Sequence, residues 1–311
     1  MDGGLTCRMA RDFRLVELAT GVHALLAGVN CAIIEAPGAT AVLVDSGHDS
    51  DYGKSIKRAL AGLGLTPTAI VCTHSHADHY GGNAYLLKHF PDMEVLAPPV
   101  EANIIRAPEL EPIYLFHGAA PLPELQSKWL KAPASPVHRE IEAGETTIGG
   151  VALKLIDTRG HAHRQLAVRV DDVLLAADAV FGEATLARYP LPFGQDIAGQ
   201  LAAHAAVGAD GASVLLPGHG APTRDVGAIV ELNREVVTRA ADAVAAAVAS
   251  LGAAGTEDVL ACCGVNLGLD MSDLARYHLN YCTISAYLGY LRSTERVSAD
   301  LAAGRLTWRQ A

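Results

Sequence analysis

The sequence predicts an α/β domain of about 225 residues followed by a mostly helical segment. Three observations predict it. Strand-like and helix-like segments alternate over the first 220 residues. Several of the apolar runs stop at Asp, His or Gly, as strands entering loops do. Beyond Thr223 the strand pattern gives way to helical spacing.

The elements follow in order. Arg14–Leu26 and Val29–Ile34 read as strands, and Ala41–Asp45 as a third that ends in Asp-Ser-Gly. Asp51–Leu63 carries Ile56, Leu60 and Leu63 as a helical stripe. Ala69–Cys72 is a buried strand running straight into Thr73-His74-Ser75-His76. Asn83–Phe90 reads as a helix and Glu94–Ala97 as a strand. Residues 98–137 hold eight of the chain's 15 prolines, too many for one regular element. They read as a long excursion with short helices such as Glu124–Leu130, serving either as a lid or as a surface excursion without a role. Strands resume at Val151–Ile156, Ala167–Val170 and Val173–Ala176, and Ser213–Leu216 is the last clear one.

The remainder is helical. Thr223 is placed to cap a helix running to about Leu251, with Gly252 as its stop. Thr256–Cys263, Ser272–Tyr281 and Thr283–Leu291 are further helices, and Val297–Trp308 ends as a small hairpin or wing. The chain thus divides into residues 1–225 and 226–311, with no internal repeat.

Composition excludes several classes. At 50% hydrophobic and 19% charged, the 311 residues are far from a disordered balance. The formal charge of −10 gains little from counterion release on a polyanion, so nucleic acid is a poor partner. No apolar run approaches the ~18 residues of a membrane span. Met1–Phe13 has no apolar core of an export signal, and the six cysteines form no CxxC, so a reducing cytoplasm is expected. Histidine is abundant at 13.

The strongest feature is Thr73-His74-Ser75-His76-Ala77-Asp78-His79-Tyr80-Gly81-Gly82. Four potential ligands fall within six residues just past a buried strand. Imidazole suits zinc, iron and related ions, and a carboxylate adds an oxygen donor. His74 and His76 alternate, so an extended end points them the same way. Asp78 and His79 follow the turn, where they can face a second metal. His161, Asp178 and His219 each lie just past, or at the end of, another strand. Functional residues of α/β sheets gather at the carboxyl ends of strands, so these strand ends make one site.

With HxHxDH at His74–His79, a GH at His161, Asp178 and a GHG at His219, the sequence resembles the metallo-β-lactamase superfamily over roughly residues 14–225. The resemblance implies an αββα sandwich with the metals at one edge of two sheets. It implies two divalent ions, zinc foremost and iron or manganese as alternatives. One would be held by His74, His76 and His161, the other by Asp78, His79 and His219, with Asp178 bridging. It places Asp45 behind the ligands as their support. Two such ions ~3.5–4 Å apart share a hydroxide that attacks the substrate. Asp78 is a candidate to steer the proton to the leaving group.

Neighbouring residues carry lesser expectations. His48 reads as a solvated loop histidine, and His163 as a pocket edge or surface residue. Arg159, Arg164 and Gln165 depart from the family's usual small residues and proline around the GH. Cys72 is expected to be packed, and Cys262-Cys263 to lie in the core of the helical region. Tyr114, Phe116 and His117 are candidate substrate contacts or local packing.

With its complete ligand set the sequence looks like the glyoxalase II and acyl-homoserine lactonase branches, and that resemblance implies a hydrolase of a small-molecule ester, thioester or lactone. The alternatives are an RNA-cleaving metallohydrolase and, further off, a dioxygenase-type redox enzyme. Residues 226–311 resemble the winged-helix-like tail of some members that act on RNA. They nevertheless hold seven arginines against nine carboxylates, which disfavours nucleic acid. A lid or a homodimer contact is the expected role of that segment.

Overall fold

The computed structural model describes residues 13–311. The export-signal reading of Met1–Phe13 and the position of Cys7 concern residues almost wholly outside that range. Strands β1 (Arg14–Ala19), β2 (Val22–Leu26), β3 (Cys31–Ala36) and β4 (Thr40–Val44) form an antiparallel meander. The single strand expected over Arg14–Leu26 is therefore a hairpin. It turns at Thr20-Gly21, where Gly21 takes φ 71°, a region a side chain resists.

Helix α1 (Ser50–Leu63) crosses to β5 (Thr66–Val71), which runs parallel to β4. The Asp49 side chain caps α1 by accepting from the Asp51 N–H, and Gly64 stops it in the left-handed region. The short α2 (Ala77–Tyr80) and α3 (Asn83–His89) lead to β6 (Glu94–Ala97). Helices α4 (Pro99–Arg106) and α5 (Leu110–Leu115) and a 3-10 turn at Pro123–Gln126 occupy the excursion, and the expected Glu124–Leu130 helix is confined to that turn. Strand β7 (Arg139–Glu140) closes a seven-stranded sheet in sequence order.

The second sheet starts with β8 (Gly144–Ile148), whose Gly-Glu-Thr-Thr run offered no apolar signal. It continues through β9 (Val151–Asp157), β10 (Leu166–Val170) and β11 (Val173–Ala177). Helices α6 (Glu183–Arg188) and α7 (Ile197–Ala209), absent from the sequence expectations, precede β12 (Val214–Pro217), which pairs parallel to β11.

Period-two alternation builds the layers. Val42 and Val44 of β4 face Val168, Val170 and Leu175 of the second sheet in one apolar core. Ala41 and Leu43 point the other way, onto Ile56 and Leu60 of α1. On the far side, Ala167, Leu174 and Leu215 pack on Ala203 and Val207 of α7. Helix, sheet, sheet and helix thus stack as the αββα sandwich.

Helix α8 (Val226–Leu251), α9 (Thr256–Leu267) and α10 (Leu274–Ser293) follow, then the hairpin of β13 (Val297–Ala302) and β14 (Arg305–Gln310). Asp225, not Thr223, caps α8, accepting from the Ala228 N–H; the Thr223 hydroxyl instead accepts from Asp225 N. The helices expected at Ser272–Tyr281 and Thr283–Leu291 are one. Thr283 sits inside it with its hydroxyl bonded back to the Leu279 carbonyl. Val244, Leu260, Ile284, Leu288 and Trp308 fill the core of this region. Leu279 of α10 packs on Leu115, Leu125 and Leu130 of the excursion. That contact swings α10 over the edge of the sandwich. No helix among the described residues is long and apolar enough to cross a membrane.

Candidate metal centre

Five strand ends deliver the site. Asp45 follows β4, His74 and His76 follow β5, His161 follows β9, Asp178 follows β11 and His219 follows β12. Asp78 and His79 enter on α2, the first turn after the β5 loop. All seven expected ligands come together. His74, His76 and His161 form one group, His74, His79 and Asp178 a second, and Asp78, His79 and His219 a third, each set of donor atoms within 4.8 Å. His161 Nε2 lies 2.8 Å from His76 Nδ1, and His74 Nε2 lies 3.1 Å from it. Asp178 sits centrally, 3.3 Å from Nε2 of each of His79, His161 and His219.

Partners behind the rings fix which nitrogen faces inward. His161 Nδ1 donates to the Phe193 carbonyl (3.0 Å) and His219 Nδ1 to the Gly28 carbonyl (2.7 Å). A carbonyl only accepts, so each Nδ1 carries the proton and each Nε2 lone pair faces the cluster. His79 Nδ1 donates to Asp45 (2.8 Å). The Thr73 hydroxyl donates to Asp45 (2.9 Å) and so accepts from His74 Nδ1 (3.0 Å). Asp45 thus bonds the His79 ring directly and the His74 ring through Thr73.

This arrangement fits a cation. The lone pairs of His74 Nε2 and His161 Nε2 both point at His76 Nδ1, across 3.1 and 2.8 Å, and a single proton on that nitrogen can serve only one of them fully. His79 Nε2 and Asp178 Oδ1 are buried and have no hydrogen-bond partner. Burial pushes the His76 imidazole down to about 4 and that of His161 to about 3, keeping both neutral, the form that binds metal. Burial opposes charge on His79 too, but the Asp178 and Asp78 carboxylates overcome it and pull the ring up to about 10. A field that draws a proton draws a divalent cation more strongly. Asp78 and Asp178, despite burial, are held well below the usual carboxylate range by the neighbouring histidines.

Three glycines have steric reasons. A Cβ on Gly218 would fall 1.9 Å from Asp178 Oδ1, so only glycine lets this backbone pass the central carboxylate. Cβ atoms on Gly81 and Gly82 would strike the carbonyls of His48 and Ser46 at 2.0 and 2.3 Å. Those glycines seat α2 against the β4–α1 loop.

The site opens into a cavity of about 540 Å³. Asp78, His161, Asp178 and His219 line one side; Arg188 of α6 and Arg276, Asn280 and Thr283 of α10 line others. The C-terminal region therefore forms a wall of the site. A neighbouring cavity of about 520 Å³, lined by Tyr114, His163, Gln195 and Tyr290, holds none of the seven residues.

The remaining candidates fall elsewhere. His48 is buried, not solvated, under the indole of Trp129 at 4.4 Å. His163 is exposed, and Arg159 pairs with Asp157 at the surface. Gln165 is buried and Arg164 exposed. Phe116 and His117 pack on His278 and Tyr281, and Tyr114, which lines the neighbouring cavity, receives a bond from Gln195. Cys72 and Cys263 are buried and Cys262 half-buried. Sequence reasoning missed Glu101, a buried carboxylate bonded to both the Ser75 and Arg164 segments.

An αββα sandwich with a His/Asp cluster at its edge defines a class of metal-binding hydrolases. The family model of the metallo-beta-lactamase superfamily matches residues 25–219, and the chain belongs to that superfamily. An uncharacterized protein of Mycobacterium tuberculosis is 27% identical over 226 residues, covering 66% of this chain and 92% of its own. A hydroxyacylglutathione hydrolase of Xylella fastidiosa is 30% identical over 146 residues, 47% of this chain and 43% of that one. This match therefore spans less than half of either chain. A metallo-beta-lactamase family protein from Thermus thermophilus superposes with a TM-score of 0.72 at 20% identity, covering 95% of this chain and all of the other. The helical C-terminal region is thus part of a shared architecture.

Proposed function

We propose that this protein is a dinuclear metal-dependent hydrolase of small-molecule esters, thioesters or lactones. His74, His76 and His161 would hold one divalent ion and Asp78, His79 and His219 the other, with Asp178 between them. Zinc suits this mixture of imidazole and carboxylate donors best, with iron or manganese as alternatives. When bound, such a pair supplies a nucleophile at neutral pH and polarises an acyl carbonyl.

The observation that carries the substrate class is the cavity. At about 540 Å³ and walled by α6 and α10, it suits a small molecule. The stretch shared with hydroxyacylglutathione hydrolases supports an acyl substrate. The excess of carboxylates over arginines in residues 226–311 runs against a nucleic-acid partner.

The chain's own groups then have definite tasks. Asp78, partly exposed in the cavity and 3.5 Å from His219 Nε2, is ionised at neutral pH. It therefore begins by accepting a proton at a carboxylate oxygen, and can pass it to the leaving group. Arg188 lines another wall, where it orients a polar end of the substrate, while Arg276 there is paired with Asp270 and Asp273. A reducing, cytoplasmic setting belongs to the same proposal, since Cys31, Cys72, Cys262, Cys263 and Cys282 are free thiols.

A chromogenic panel of thioesters, lactones and esters, run beside single-stranded RNA with zinc-loaded protein, tests this. Turnover of an acyl substrate is expected. Cleavage of RNA with no acyl turnover refutes it.

A further inference from the structure

We propose that Glu101 is a positioning residue for the metal centre, fastening the loop of His74 and His76 to the loop of His161. The inference rests on the metal-binding reading of those histidines. Glu101 lies in the first turn of α4, at the start of the proline-rich excursion, and is only 1% exposed. Its Oε2 accepts from the Ser75 N–H (3.0 Å) and the Ser75 hydroxyl (2.5 Å). Its Oε1 accepts from the Arg164 N–H (2.9 Å).

These three bonds have a shared consequence. Ser75 stands between His74 and His76, and Arg164 stands three residues past His161. The two loops come from different sheets, after β5 and after β9. Their facing nitrogens, His76 Nδ1 and His161 Nε2, are 2.8 Å apart. A carboxylate buried this deeply is costly unless its lone pairs are taken up. Here its partners are the two ligand loops, through charge-assisted bonds that tolerate little displacement. Glu101 itself belongs to none of the metal-ligand groups, so it acts through Ser75 and Arg164. The Asp78, His79 and His219 group is anchored separately, by Asp45 and the Gly28 carbonyl. Loss of Glu101 therefore strikes one metal position and spares the other. The excursion gains a role at the same time: its first helix braces the metal loops from behind.

The test is zinc affinity of metal-stripped full-length protein, read by competition with a chromogenic chelator. A His219→Ala background isolates the His74/His76/His161 position, and a His161→Ala background isolates the other. Glu101→Gln is expected to weaken zinc about 10–100-fold in the first background, the usual effect of losing a partner behind a metal ligand. It should leave affinity in the second background at parent values. Equal weakening at both positions with a lowered melting temperature indicates a merely structural role and overturns the proposal. So does unchanged zinc affinity in the first background. Ser75→Ala removes one of the three bonds without touching the carboxylate, and carries the test if Glu101→Gln does not fold. It is expected to show a smaller loss in the first background alone, and no loss there overturns the proposal. A parent protein that binds no zinc overturns the metal centre and this inference together; tight parent binding with an unaffected Glu101→Gln overturns only this inference.

Discussion

The Asp45 carboxylate accepts the Nδ1 proton of His79 at 2.8 Å, and it also holds Thr73 through its backbone N–H and its hydroxyl. One buried acid thus sets the orientation of two rings, His79 directly and His74 through Thr73. Asp45→Asn keeps the shape but removes negative charge and leaves one face of the amide donating. Metal affinity should fall about 10–100-fold, as loss of a partner behind a ligand does. Chelator competition reads this, and parent-level affinity in the variant contradicts the assigned role.

Asp178 lies 3.3 Å from three imidazole nitrogens and has one buried oxygen without a hydrogen bond. Asp178→Ala should remove metal and turnover together. Elemental analysis beside an activity assay decides the matter, and a variant retaining both metals at full turnover sinks the central position given to Asp178.

The wall formed by α10 should control substrate and not metal. Asn280 lines the cavity and is partly buried. Asn280→Trp is expected to raise KM by about tenfold, the equivalent of roughly 1.4 kcal/mol of binding, with metal content unchanged. Identical kinetics across the acyl panel would mean that substrates do not reach α10.

A pH effect follows from His204, a buried histidine of α7 outside the metal groups. Burial lowers it from 6.5 to about 4. The unfolded chain therefore binds this proton first as pH falls, so the folded state loses stability between about 6.5 and about 4. In metal-free protein His76 and His161, lowered to about 4 and about 3, act in the same direction. His79, raised to about 10, acts oppositely: its contribution is present below 6.5 and fades as pH rises through 10. Denaturant midpoints for His204→Leu should show a shallower acid limb than the parent. An unchanged limb argues against a neutral His204 in the fold.

Much of the site was legible because each ligand ends or follows an apolar strand, so order along the chain mapped onto one sheet edge. His161 and His219 could be placed this way without knowing their partners. What could not be read depends on contacts between distant residues. His48 is buried by Trp129, 81 positions on. Glu101 looks like an ordinary helical glutamate until Ser75 and Arg164 close around it. Thr283, read as the first residue of a separate helix, lies inside α10 and bonds backward. The cavity wall depends on α10 packing on α8 and α9 and on Leu279 meeting the excursion.

Acyl hydrolysis during zinc titration of metal-stripped protein tests the central claim most directly. Turnover of a thioester or lactone should be absent at the start, rise with added zinc and saturate at two ions per chain. Hydrolysis that is already complete before zinc is added, or its absence at full zinc loading, contradicts a dinuclear metal-dependent acyl hydrolase.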